Sequence, residues 1–295
     1  MSWLSRWGSW LLLWSARLLA FMPRPVMTHL AGGIGALAFR LARHRRMVAI
    51  RNLEICFPEK SDAERCGIVK AHFCCYARAF FERFEIWFGS PERLRARVKI
   101  QRLELFEELR GKPVIILAPH FLGLDAGGVR FQLEHQFASM YAKQSNPVLD
   151  AWTLQGRTRF NSPVIVPRQQ GLAGLARLLK RGVPLYFLPD MDLGRRHSIF
   201  VPFFGEPAAT VTSLVRLAQM LDAVVLPLVT RMTDDGYEAT FYPGWKHQEG
   251  HETPEEAVAV MHRFIEARIR EMPEQYLWTH RRFKTRPPGY PKVYA

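Results

Sequence analysis

Val114-Ile115-Ile116-Leu117-Ala118-Pro119-His120-Phe121-Leu122-Gly123-Leu124-Asp125 is the stretch from which the rest of the chain is read. Four consecutive apolar residues behind Gly111-Lys112-Pro113 suit a short strand, and without polar alternation that strand must be covered on both faces. A polar break at His120 and a helical pattern from Leu124 to His135 complete a strand–turn–helix unit. Outward from it the same rhythm recurs. Strands are expected over 138–142, 164–166, 185–188, 223–229 and 237–242. Helices are expected over 61–89, capped by Ser61 or Asp62, and over 147–160, 171–181, 211–221 and 254–270. The alternation predicts an α/β fold with a mostly parallel central sheet and helices on both faces. Ligands of such sheets bind beyond the carboxyl ends of the strands. Those ends carry APHFLGLD at 118–125, Pro167-Arg168, and Pro189-Asp190-Met191-Asp192-Leu193-Gly194-Arg195-Arg196.

The 295 residues include 41 Lys+Arg and 27 Asp+Glu, a net charge of +14, and 48% apolar residues. With a mean hydropathy of −0.10, this composition excludes both a disordered chain and a polytopic membrane protein. The charge is uneven: residues 1–53 hold eight arginines and no acidic residue. Their neighbours are Trp3, Trp7, Trp10, Leu11–Leu13, Trp14, Leu18, Leu19 and Phe21, a membrane-interface composition rather than a nucleic-acid one. The Leu and Phe residues of 9–22 are worth about −2 to −4 kcal/mol on an insertion scale, and Arg17 costs about +3, so a free-standing span is marginal. We read N-terminal membrane-anchoring helices over 1–46, tilted or half inserted, then a helical connector over 47–99 and the α/β domain over 100–295. Arg40, Arg43, Arg45 and Arg46 place the end of the anchor on the cytoplasmic side. Cys56, Cys66, Cys74 and Cys75 form no C-x-x-C pair and are expected as buried, reduced thiols.

A His with an acid five positions on suits general-base chemistry, because the carboxylate fixes the imidazole tautomer and stabilises the imidazolium. The spacing occurs three times: His120/Asp125, His247/Glu252 and His251/Glu256. The last two lie in the polar stretch HQEGHETPEE and read as solvated loop. Only His120 follows a strand and precedes a helix, although a capping or core His fits that position equally. There is no G-x-S-x-G elbow and no P-loop. Asp190 and Asp192 lack a His or Cys at ligand spacing, so no metal is expected. A base without a protein nucleophile implies transfer onto a substrate hydroxyl.

Together with Arg51-Asn52-Leu53-Glu54-Ile55-Cys56-Phe57-Pro58-Glu59, LPDMDLG at 188–194, FVPFFG at 200–205 and PEQYLWTHRRFKTRP at 273–287, the motif makes the chain resemble the lipid A late acyltransferases of Gram-negative bacteria, within the His-x4-Asp/Glu acyltransferase superfamily. The resemblance covers nearly the whole chain. Its most specific parts are FVPFFG and the C-terminal stretch. Pro119 stands where many members have Asn.

The resemblance implies transfer of a fatty acyl chain from acyl carrier protein to a hydroxyacyl group of a lipid A precursor, without a cofactor, at the cytoplasmic face of the bacterial inner membrane. It makes His120 the base and Asp125 its orienting group. Another acceptor, such as a lysophospholipid, glycolipid or ornithine lipid, is the alternative. Both implied partners are anionic, as the basic chain requires; membrane lipids are a further expected partner, and nucleic acid is not. Arg157, Arg159 and Arg168 are candidate phosphate ligands. Asp192 and Gly194 are candidate substrate contacts, or a turn in which Asp192 bonds its own backbone and Gly194 supplies a positive φ. Phe200, Phe203 and Phe204 wall a lipid pocket or pack the core. Arg281, Arg282, Lys284 and Arg286 bind partners or form a solvated tail.

Overall fold

The computed structural model describes Trp7, Gly8, Trp10, Leu11, Trp14, Ser15, Arg17 and Leu18, and then residues 23–141, 143, 145–167, 171–196, 198–247 and 252–294. Its helices are α1 (Arg24–Leu41), α2 (Arg43–Cys56), α3 (Asp62–Phe88), α4 (Pro91–Arg97), α5 (Glu104–Glu107), α6 (Leu124–Gln132), α7 (Pro147–Arg157), α8 (Gly171–Lys180), α9 (Ser213–Met220) and α10 (Pro254–Glu271). The strands are β1 (Val98–Gln101), β2 (Val114–Leu117), β3 (Ala138–Tyr141), β4 (Val164–Pro167), β5 (Leu185–Phe187), β6 (Ser198–Phe203), β7 (Glu206–Val211), β8 (Val224–Thr233), β9 (Gly236–Phe241) and β10 (Trp245–Lys246).

The main sheet runs β1-β9-β8-β2-β5-β3-β4. Its pairings are parallel except β8 with β9 and with β10. β2 is central and buried throughout. Ile115 and Leu117 enter the core under α2, α8, α9 and α10, whereas Val114 and Ile116 enter the core under α6. The apolar run was thus a correct sign of a strand covered on both faces. α6 approaches closely through Gly127, where a Cβ would stand 2.1 Å from Thr230 Oγ1. α3 begins in a capping box, with Ser61 and Glu64 each satisfying the other's backbone, and contributes to both cores, Val69 and Phe73 to one and Ile86 and Trp87 to the other. Residues 47–99 therefore share the interior of the sheet domain.

The β6–β7 hairpin had no counterpart in the sequence reading. Pro202 and the FVPFF run hide its alternation, and its turn needs positive φ at Phe204 (52°) and Gly205 (79°). Glu266 Oε1 accepts the Phe204 N–H at 2.8 Å and holds that turn. Phe203 is fully buried and Phe204 packs on the same core, so both are core residues rather than pocket walls.

Among the described residues no helix is long and apolar enough to cross a membrane, so the anchoring helices expected over 1–46 gain no support from a span. α1 packs on α3 through Met27 and Ala31 and leaves Val26, Ile34, Leu37 and Leu41 exposed. Arg17 stacks on Phe88 at 4.8 Å. Trp10 and Trp14 meet Trp152 edge-on at 5.8 and 5.7 Å. The cysteines are free, but only Cys56 is buried; Cys66 is exposed.

Candidate active site

His120 begins the loop after β2, and Asp190 lies just beyond β5. Because β2 and β5 pair in parallel through Ile115–Leu117 and Leu185–Phe187, their carboxyl ends stand side by side. Asp190 Oδ1 lies 2.6 Å from His120 Nδ1, and Oδ2 accepts the His120 backbone N–H at 2.9 Å and the Tyr276 hydroxyl at 3.0 Å. Burial raises the Asp190 pKa, but the facing His120 and these hydrogen bonds outweigh it and hold the carboxyl down at about 2. An ionised Asp190 accepts from Nδ1–H, so the neutral imidazole has Nε2 unprotonated. Nε2 has no partner among the described residues, and His120 lines an open cavity of about 1170 Å³.

This corrects the expected orienting contact. Asp125, in the first turn of α6, takes the Arg157 guanidinium on Oδ1 at 2.7 and 3.1 Å and Arg83 Nε on Oδ2 at 3.0 Å. The reason is charge: two arginines from α3 and α7 outcompete one imidazole for the carboxylate. Burial works against Asp125 ionisation, yet Arg157 and Arg83, with a smaller contribution from His120, keep its pKa low. Arg157 is in turn raised by Asp125.

The other candidates divide. Arg157 lines the cavity. Arg159 does not; it donates to the carbonyls of Trp87 and Gly89 and covers Phe160. Arg168 lies outside the described residues. Asp192 is buried, with Oδ1 accepting Gly194 N–H (2.9 Å) and the Thr285 hydroxyl (2.8 Å) and Oδ2 accepting Thr285 N–H (2.6 Å). Gly194 sits at φ 94°. Neither lines the cavity, so the pair forms a turn fastened to the C-terminal segment.

That segment was the least legible part of the site. Leu122 N–H donates to Gln275 O, and Leu277 N–H to His120 O, clamping the His120 loop from outside the sheet. His280 Nε2 accepts Asp192 N–H; burial, then the nearby His120, lowers its pKa to about 4. Arg282 is buried and donates to Ala209 O and Thr210 Oγ1. Arg286 pairs with Glu206. These two are internal ties, while Arg281 stays at the surface beside His44. Asp190 and Arg83 carried no local signal, since each contact spans dozens of residues. The available sign was that Asp190 follows its strand as closely as His120 follows β2.

The second His-x4-acid match also departs from its reading. His247 is buried, and its Nδ1 lies 2.8 Å from Glu252 Oε1. His251 lies outside the described residues.

Residues 1–285 match the bacterial lipid A biosynthesis acyltransferase family. The chain is 33% identical over 293 residues to the lipid A biosynthesis lauroyltransferase of Escherichia coli K12, covering 98% of this chain and 95% of that protein. It is 33% identical to the palmitoleoyltransferase of the same organism (98% and 94%) and 32% identical to its myristoyltransferase (96% and 88%). With the model matched along nearly its whole length and relatives this similar, the chain belongs to the bacterial lipid A biosynthesis acyltransferase family.

Proposed function

We propose that this enzyme transfers a fatty acyl group from an acyl carrier protein thioester to a hydroxyl of a lipid A precursor, at the cytoplasmic face of the bacterial inner membrane. The observation that carries the mechanism is His120, which lines the cavity with its Nδ1 held by a buried, ionised Asp190 and its Nε2 without a partner among the described residues. Nε2 takes the proton of the acceptor hydroxyl as its oxygen attacks the thioester carbonyl. The C–O bond forms, the C–S bond breaks, and the leaving thiolate recovers the proton from His120. Asp190 stabilises the transient imidazolium. Asp125 acts one step back, fixing Arg157 and Arg83 around the reacting groups. Leu124, Val129, Met140 and Leu172 line the same cavity and suit an acyl chain.

Two features support the partners and the place. The net charge of +14 favours an acidic carrier protein and a phosphorylated lipid. Trp7, Leu11, Leu18, Leu37 and Leu41 are exposed at the N-terminal end and suit insertion at the interface without spanning. Holding the site there avoids drawing lipid chains into water at about 0.8 kcal/mol per CH₂. Water that reaches His120 competes with the acceptor, so slow thioester hydrolysis is expected.

The test mixes detergent-solubilised wild type or His120→Ala with phosphorylated lipid A precursor and carrier-protein thioesters of several chain lengths, and reads product mass. A gain of one acyl group in wild type only supports the reading. Acylation of a lysophospholipid but not of the precursor overturns the acceptor.

A further inference from the structure

Among the described residues the cavity wall carries four arginines, Arg83, Arg157, Arg196 and Arg216, and one carboxylate, Asp125. Arg83 and Arg157 are spent on Asp125. Arg196 and Arg216 are exposed and have no ion pair among the described residues. Arg216 lies on α9, whose first turn presents backbone N–H groups without intrahelical acceptors. Thr212, the residue that enters α9, is only 4% exposed and lines the cavity. Its hydroxyl does not cap the helix and has no other hydrogen-bond partner among the described residues. A Thr at the helix entry would ordinarily turn that oxygen onto its own backbone. Here an unpartnered hydroxyl on a buried residue, a helix N-terminus and, one turn on along the same face, a guanidinium without an ion pair among the described residues all belong to the cavity lining, as do Ser213 and Arg196.

We infer that Thr212, Ser213 and Arg216, with Arg196, form a phosphate-binding subsite of the cavity, distinct from the Asp125–Arg157 pair. It deepens the proposed acyl transfer and rests on that reading for its substrates. Both carry phosphate: the carrier protein's prosthetic arm holds a phosphodiester, and the lipid acceptor holds phosphate monoesters. The shared chemistry is a phosphate oxygen that accepts from the Thr212 hydroxyl, the α9 N–H groups and the Arg216 fork.

The experiment uses the full-length, detergent-solubilised enzyme and the variants Thr212→Val, Arg216→Gln and Arg216→Lys, each checked by thermal melting. Wild type is expected to broaden the ³¹P resonance of inorganic pyrophosphate, and Thr212→Val/Arg216→Gln to broaden it much less. Equal broadening overturns the subsite. This readout needs no activity, so a wild type that acylates no lipid sinks the acyl-transfer reading alone. In kinetics, Arg216→Gln is expected to raise one KM by at least about tenfold, equivalent to ~1.4 kcal/mol, with kcat within about twofold and Arg216→Lys between. A rise in donor KM, seen also in thioester hydrolysis, assigns the phosphate to the donor. A rise in acceptor KM, absent with a dephosphorylated acceptor, assigns it to the lipid. Both KM values unchanged overturns the proposal.

Discussion

His247 and His120 each have a carboxylate five positions further along the chain, and the fold treats them differently. At His247 the acid reaches the ring: Glu252 meets Nδ1 at 2.8 Å, and the Trp245 indole N–H closes Nε2 at 3.0 Å. Both nitrogens are satisfied and the ring is buried, so the group joins β10 to the start of α10 and has no nitrogen left for a substrate. At His120 the acid turns away to two arginines, a carboxylate seventy positions on takes Nδ1, and Nε2 has no partner among the described residues. The local pair closes both ring nitrogens, and the long-range pair holds one and leaves the other to the role proposed for a base. Catalysis requires one ring nitrogen held and the other free, and motif spacing reports neither.

The contrast breaks most sharply on the imidazoles themselves. His120→Ala is expected to lower kcat by about 10²–10⁴ while the protein still folds. His247→Ala should melt earlier yet keep activity per folded enzyme within about threefold, because only structure is lost. Comparable kcat losses in the two variants would erase the distinction. The acids come next. Asp190→Asn should cost about 10²-fold or more in kcat through the wrong tautomer and an unsupported imidazolium. Asp125→Asn should cost about tenfold, acting through Arg157 and Arg83. A larger loss for Asp125→Asn would return the orienting role to that residue.

Three further imidazoles, two buried and one half-buried, sharpen the picture through pH. Burial lowers His72 to about 4; burial and then Arg282 lower His262 to about 3; His280 stands at about 4. In the unfolded chain they titrate near 6.5. Below that value the unfolded state binds more protons. Their contribution is complete above about pH 6.5 and falls toward pH 4, by up to ~1.4 kcal/mol per pH unit for each group. Melting temperature should therefore drop steeply from pH 6.5 to 4.5, and less steeply in His262→Gln. A flat profile contradicts their neutral burial. The smallest effect belongs to Trp245→Phe, which opens Nε2 of His247: about 1 kcal/mol of stability, with acyl transfer unchanged in a mass-resolved assay.

Periodicity was a good guide where local chemistry decides. The apolar strands, the Ser61 capping box and the α3 span were legible because burial on both faces and helix capping leave marks within a few residues. His120 was legible for the same reason, as a polar residue directly after a buried strand. Asp190 and Tyr276 were not, because their contact depends on which strands are neighbours, and strand order is set by packing across the whole sheet. Phe203 was read as pocket wall or core and Arg282 as partner contact or solvated tail; both are interior, since composition does not tell which side of a strand or segment meets the core.

Residues 273–286 are translated after every strand of the sheet. Yet they supply the Tyr276 hydroxyl to Asp190, the Leu277 N–H to the His120 carbonyl and the Thr285 contacts to Asp192. In the order of synthesis the site is thus completed last. A nascent or prematurely terminated chain has the motif His and the greasy N-terminal helices but not the fastening that sets the imidazole. Only a chain extended through this segment carries the contacts that fix the His120 ring and its loop.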